Sequence, residues 1–109
     1  MGITTYSTLT VVSEADGEGM QAVAAFATKI GLQHTGVIIL PINGNYYLNV
    51  FPSGSKAFWT DEDEHLNNLQ QVVDFIRIHN KHMGGRYIVS TMLTLRENPE
   101  NGTYRATTT

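Results

Sequence analysis

The residues of this chain with the greatest chemical capacity are its four histidines. His79 and His82 stand three apart in His79-Asn80-Lys81-His82, on one face of a helix, and with a third ligand such as His34 they would make a zinc-type site. The same spacing suits a helix end, where the dipole favours imidazolium, and neither an HExxH pattern nor a carboxylate triad accompanies it. No metal and no cofactor are therefore expected. His65 is surrounded by acids with no nucleophile beside it in sequence, which fits a solvated helix-face residue better than a general base. Ser53-Gly54-Ser55-Lys56 has the form S-x-x-K, yet Pro52 and Gly54 make it a loop, whereas a lysine-activated serine needs a helix start. Gly17-Glu18-Gly19 lacks the third glycine and the lysine of a phosphate loop, and Glu18 with Asp16 would repel an anion. Asn101-Gly102-Thr103 is a glycosylation sequon by pattern only. No catalytic residue emerges from this set.

Composition narrows the class further. The 109 residues are 41% hydrophobic and 16% charged, with no cysteine and a formal net charge of -3. That length reads as a single domain over residues 1–109, able to bury roughly 60–70% of the surface its unfolded chain exposes. Without cysteine there is no disulfide framework, thiolate nucleophile or thiolate metal site. No apolar run is long enough for a membrane span, and Met1 to Val12 lacks the basic start and apolar block of a leader peptide. A cytoplasmic protein with no membrane partner is expected. Seven basic residues against ten acids leave no basic stripe for direct nucleic-acid binding.

The elements that must position any site follow from periodicity. Ile3 to Val12 is rich in β-branched residues and reads as a strand. Met20 to Ile30 reads as a largely buried helix closed by Gly31. Val37 to Ile42 and Tyr46 to Phe51 flank Asn43-Gly44-Asn45, a tight-hairpin signal, with Pro41 suggesting an edge strand. A second helix starts at Thr60 as N-cap, with Asp63 as a short-armed capping box, and carries the stripe Leu66, Leu69, Val73 and Ile76. Basic residues lead it to Gly84-Gly85. Arg86 to Leu95 is a strand, Tyr104 opens a short final strand, and Ala106 to Thr109 reads as frayed.

The order β-α-β-β-α-β with a short C-terminal β extension resembles the ferredoxin-like, or split-βαβ, pattern. That resemblance implies an α+β sandwich, a four-stranded antiparallel sheet with two helices on one face. With the first and third strands taken as central and parallel, both strand-to-helix junctions fall on one edge. Glu14, Asp16 and Glu18 then gather with Asp61, Glu62, Asp63 and Glu64, seven of the ten acids, into an acidic partner-binding rim. Lys29, His34, Arg77, His79, Lys81, His82 and Arg86 collect on the other edge.

Aromatic residues supply a second candidate surface. Alternation in the third strand sends Tyr47 and Phe51 to the face opposite Tyr46, Leu48 and Val50. With Tyr6 and Met92, or Ile88, from neighbouring strands, that face is too apolar to stay wet, and a homodimer formed sheet to sheet is expected. The reading that follows is a non-enzymatic protein-binding domain, a small inhibitor, adaptor or regulator whose partner has a basic surface. Compact acidic domains of this kind resemble, in type and size, the proteins with which phages block host or defence machinery, some of them as nucleic-acid mimics. The alternative is a small dimeric α+β barrel enzyme or small-ligand-binding protein, with a pocket between sheet and helices near His65, Tyr47, Trp59 and Arg96.

Overall fold

A computed structural model describes residues 4–52, 62–98 and 103–108 of the chain. Its elements are β1 (Thr4–Ser13), α1 (Gly17–Lys29), β2 (Ile38–Ile39), β3 (Tyr46–Val50), α2 (Glu62–Met83), β4 (Ile88–Asn98) and β5 (Thr103–Thr108). The strands form one sheet in the order β2-β3-β1-β4-β5, every neighbouring pair antiparallel. The protein is thus α+β, an open antiparallel sheet with two helices. No helix among the described residues is long and apolar enough to cross a membrane.

Three expectations need correction. First, β1 and β3 run antiparallel, with Leu9 opposite Val50 and Ser13 opposite Tyr46. Helix α1 carries the chain back so that β2 runs in the direction of β1, and the following hairpin reverses β3 between them. Second, the hairpin is wider than a two-residue turn. Leu40 N–H donates to the Asn45 carbonyl and Gly44 N–H to the Leu40 carbonyl, both at 2.8 Å. Only Gly44 takes a positive φ there, whereas the tight turn needs one at both central residues. Strand β2 is left with two residues. Third, Ala106 to Thr108 are paired rather than frayed: β5 follows β4 as far as Thr108 opposite Leu93.

One face of the sheet carries the core. Alternation turns Ser7, Leu9, Val11 and Ser13 of β1 inward, beside Leu48 and Val50 of β3 and Ile88 of β4, all of them buried. Met20, Val23, Ala24 and Ala27 of α1 and Leu69, Val72 and Ile76 of α2 close over them in a single cluster. Each large apolar side chain removed from water contributes about 1.5–3 kcal/mol. The alanines let the helices approach, and Phe26 stacks on Phe75 across their seam with ring centroids 4.7 Å apart. Both helices end as their glycines predict: Gly31 and Gly84 take positive φ. The N–H groups of Gly31 and Leu32 reach back to Thr28 and Ala27, and those of Gly84 and Gly85 to Lys81 and Asn80. Helix α1 begins at Gly17, earlier than its apolar pattern suggests, because Asp16 caps it by accepting from Gly19 N–H at 2.8 Å. The expected cap Thr60 lies outside the described residues.

Candidate functional site

The antiparallel course of β1 and β3 decides what the charges do. Their C-terminal ends lie on opposite edges, so α1 and α2 start on opposite edges as well. Glu14, Asp16 and Glu18 therefore share a corner with the basic end of α2, not with the acids at its start. Glu14 and Glu18 are exposed, and Asp16 accepts a 2.7 Å hydrogen bond from His79 Nε2. Among the described residues these acids do not join into one continuous rim. Of the second group, Glu64 is exposed on α2; Asp61 and the side chains of Glu62 and Asp63 lie outside the described residues.

The corner itself is a set of polar ties between two turns. Ser13 Oγ donates to the Tyr87 carbonyl at 2.7 Å and accepts from the Asp16 N–H at 3.1 Å. Asn80 closes a two-way bracket on Ile88, its Nδ2 donating to the carbonyl at 2.8 Å and its Oδ1 accepting from the N–H at 3.1 Å. Asp16 and His79 expose only 12% and 22% of their side chains. The His79 imidazole beside Asp16, and then the Gly19 N–H, hold the Asp16 carboxyl below its ordinary value of 3.8 against the opposing effect of burial. Serine, histidine and aspartate are the residue types of a hydrolytic triad, yet here Ser13 is buried and its proton is committed to a carbonyl. His79 meets Asp16 rather than the serine, so no nucleophile is activated. The corner is structural.

His34 and His65 are also engaged, whereas His82 is exposed in the last turn of α2. His34 shares a 2.8 Å bond with Thr28 Oγ1, and its Nδ1 accepts from Gly36 N–H at 2.9 Å. Among the described residues no group of three or more histidines or acids is placed to hold a metal ion. His65, expected to be solvated, is 8% exposed, and its Nε2 donates to the Ser7 carbonyl at 3.0 Å. The β1–β3 register, continued past Val50, would set Pro52 against Ser7, and proline has no N–H to offer. The imidazole supplies that donor and pins the start of α2 to β1. Spacing carried the signal: His65, Leu69, Val72 and Ile76 recur at helical intervals and all are buried.

The sheet face away from the helices has the character of a binding surface. Register aligns Ile38, Tyr47, Val12 and Val89 in one row across four strands. Asn49, Thr10 and Thr91 form the next row, tied by a 3.2 Å bond from Thr10 Oγ1 to Asn49 Oδ1. Thr8 and Leu93 face each other beyond it, flanked by Phe51, with Tyr6 one row further along. Ile38, Phe51, Tyr87, Val89 and Leu93 are 39–47% exposed. None of these side chains is charged. A hollow of about 390 Å³ lies in the face, lined by Tyr6, Thr8, Pro52 and Leu93. Tyr47, Phe51 and Tyr6 stand on this face as alternation predicts. Met92 does not: it pairs with Leu9 and packs half-buried against the core, while Ile88 is buried outright. Val89 and Leu93 occupy the places assigned to them, because the β1–β4 register brings the odd positions of β4 beside the even positions of β1. Of the groups proposed for a ligand pocket, His65 and Tyr47 line no part of this hollow. Trp59 and the side chain of Arg96 lie outside the described residues, as does Ser53 to Lys56.

Compared with known proteins, the chain matches no family model, no curated protein and no solved structure.

Proposed function

We propose that the chain is a non-enzymatic protein-binding domain of ferredoxin-like βαββαβ architecture with a C-terminal β extension, and that its open sheet face pairs with a second copy of itself. The dimer is the form in which it would serve as a small inhibitor, adaptor or regulator. One observation carries the reading: a surface whose described side chains are uncharged and whose exposed members, Thr91 apart, are aromatic or aliphatic, on a sheet whose other face is already covered. Such a patch is costly to leave in water.

The choice of a second copy rests on shape, charge and area. Phe51, 41% exposed, projects beside a hollow of about 390 Å³ on the same face. A two-fold axis between two copies lets each insert its knob into the other's hollow, since an isologous interface must be self-complementary. The absence of charge on the described part of the face removes the like-charge repulsion that self-pairing would otherwise meet. Five strands about 4.8 Å apart and seven residues of about 3.4 Å give a face of about 600 Å² before side-chain relief, near the ~800 Å² per partner of a stable complex.

Sedimentation velocity tests the proposal. The wild-type chain should run at twice its 12.1 kDa mass at micromolar concentration. Leu93→Asp or Val89→Asp should return it to a monomer that keeps its helical circular dichroism. A wild-type monomer at about 100 μM, or a dimer indifferent to both substitutions, overturns the reading.

A further inference from the structure

The helix layer is narrower than the sheet it covers. Two helices each about 10 Å across span roughly four strands at about 4.8 Å, and the fifth strand reaches past them. Helix α2 packs on β1 and β4, so the outer flank of β4 emerges from under its shoulder. A groove of about 380 Å³ runs there. Its floor includes Ser90 and Met92, which register places on the helix side of the sheet, and its wall includes Val73, Arg77 and Asn80 of α2, with Arg86 at its end.

We propose that this groove binds a small organic anion, a carboxylate or sulfonate carried on an aromatic or aliphatic body. Arg86 is exposed and makes no hydrogen bond or ion pair with a described residue. Arg77 has one partner, Asp74 at 3.7 Å, with side-chain exposures of 73% and 55%. An exposed pair of that length is weak and leaves the guanidinium available. Two arginines thus face one hollow, with Asp74 the one acid paired to either of them among the described residues, and a planar guanidinium matches the two oxygens of a carboxylate. Val73 and Met92 offer apolar contact for the rest of the molecule. Asn80 spends both ends of its amide on the Ile88 backbone, which locks wall to floor and makes the groove preformed. Its volume falls within the 300–1,000 Å³ typical of ligand sites, and its lining mixes polar side chains with the apolar Val73, Ile76 and Met92. Most of the lining lies on the helix side of the sheet, with Val89 also bordering the groove, so occupancy is compatible with pairing centred on Phe51 and Leu93 of the other face.

Two-dimensional amide NMR of the full chain, titrated with 1-naphthoate and with its uncharged counterpart 1-naphthalenemethanol, tests the proposal. Naphthoate should move the Ser90 and Met92 backbone signals and the Asn80 side-chain amide, and should bind about tenfold more tightly than the alcohol, the margin expected of charge-assisted bonds at an open site. Arg77→Gln with Arg86→Gln should abolish that preference, whereas lysine at both positions should keep most of it. Asp74→Asn, by releasing Arg77, should tighten naphthoate binding about two- to threefold. All three residues are exposed, so these variants should fold as the parent does. Equal affinity for acid and alcohol, signals moving instead around Tyr6, Thr8 and Leu93, or no movement at millimolar naphthoate would each overturn it.

Discussion

Replacing Asp16 should cost this protein more than any other single surface-corner change, and the cost should shrink in acid. The carboxylate does two things at once: it caps α1 through Gly19 N–H at 2.8 Å and holds His79 of α2 at 2.7 Å. Loss of an N-cap side chain costs about 1 kcal/mol. A charge-assisted hydrogen bond between groups this well shielded contributes about 1.5–2 kcal/mol, the lower part of its range because both still touch solvent. Asp16→Ala should therefore lose about 3 kcal/mol, a large share of the 5–15 kcal/mol typical of a domain. Asp16→Asn keeps one acceptor for two donors and should lose about 1–2 kcal/mol. Urea unfolding followed by circular dichroism at 222 nm gives these values, and the Asp16→Ala, His79→Ala double-mutant cycle isolates the bond with an expected coupling of about 1.5 kcal/mol. The pH dependence follows from the direction of the shift. The carboxyl is held below its ordinary 3.8 in the folded chain. Its contribution is thus complete above about pH 5 and is lost as the pH falls through 3.8 and then through the lowered folded value. The stability gap between wild type and Asp16→Asn should be flat from pH 7 to 5 and shrink below it. A coupling under about 0.5 kcal/mol, or a gap unchanged between pH 6 and 3, would refute the account.

Two further substitutions probe the packing that positions these ties. A Cβ on Gly19 would sit 2.7 Å from His79 Nε2, so Gly19→Ala should cost about 1–2 kcal/mol in the wild type by prising the pair apart. In the Asp16→Ala, His79→Ala background the same change should stabilise by up to about 1 kcal/mol, because helix propensity is then unopposed; thermal melts of the four variants read that reversal of sign. His65→Leu should lower stability by about 1–3 kcal/mol through the stranded Ser7 carbonyl, and His65→Gln should recover part of it. Equal melting temperatures for the leucine and glutamine variants would count against the hydrogen bond.

What could be read from the sequence was local. Gly31 and Gly84 close their helices because a left-handed residue after an apolar run is a signal contained within a few positions. The stripe of α2 and the alternation of β3 are of the same kind. The misreadings arose where a residue's environment is set by a partner far along the chain. In β4 both phases are apolar, Ile88 and Met92 on one, Val89 and Leu93 on the other, so alternation could not say which faced the helices. Pairing with β1 decides it, and a slip of one residue exchanges the two faces. Strand direction acts on charge in the same way. Once β3 runs against β1, the acids before α1 meet the bases after α2, and Asp16 finds His79 across 63 residues of sequence. That reversal changes what the polar residues are for. Asp16, His79, His65, Ser13 and Asn80, the side chains with the most chemical capacity, are occupied in tying turns and strands together. Among the described residues, a sheet face without charge and two exposed arginines beside a groove are left facing solvent, and we propose that both serve binding.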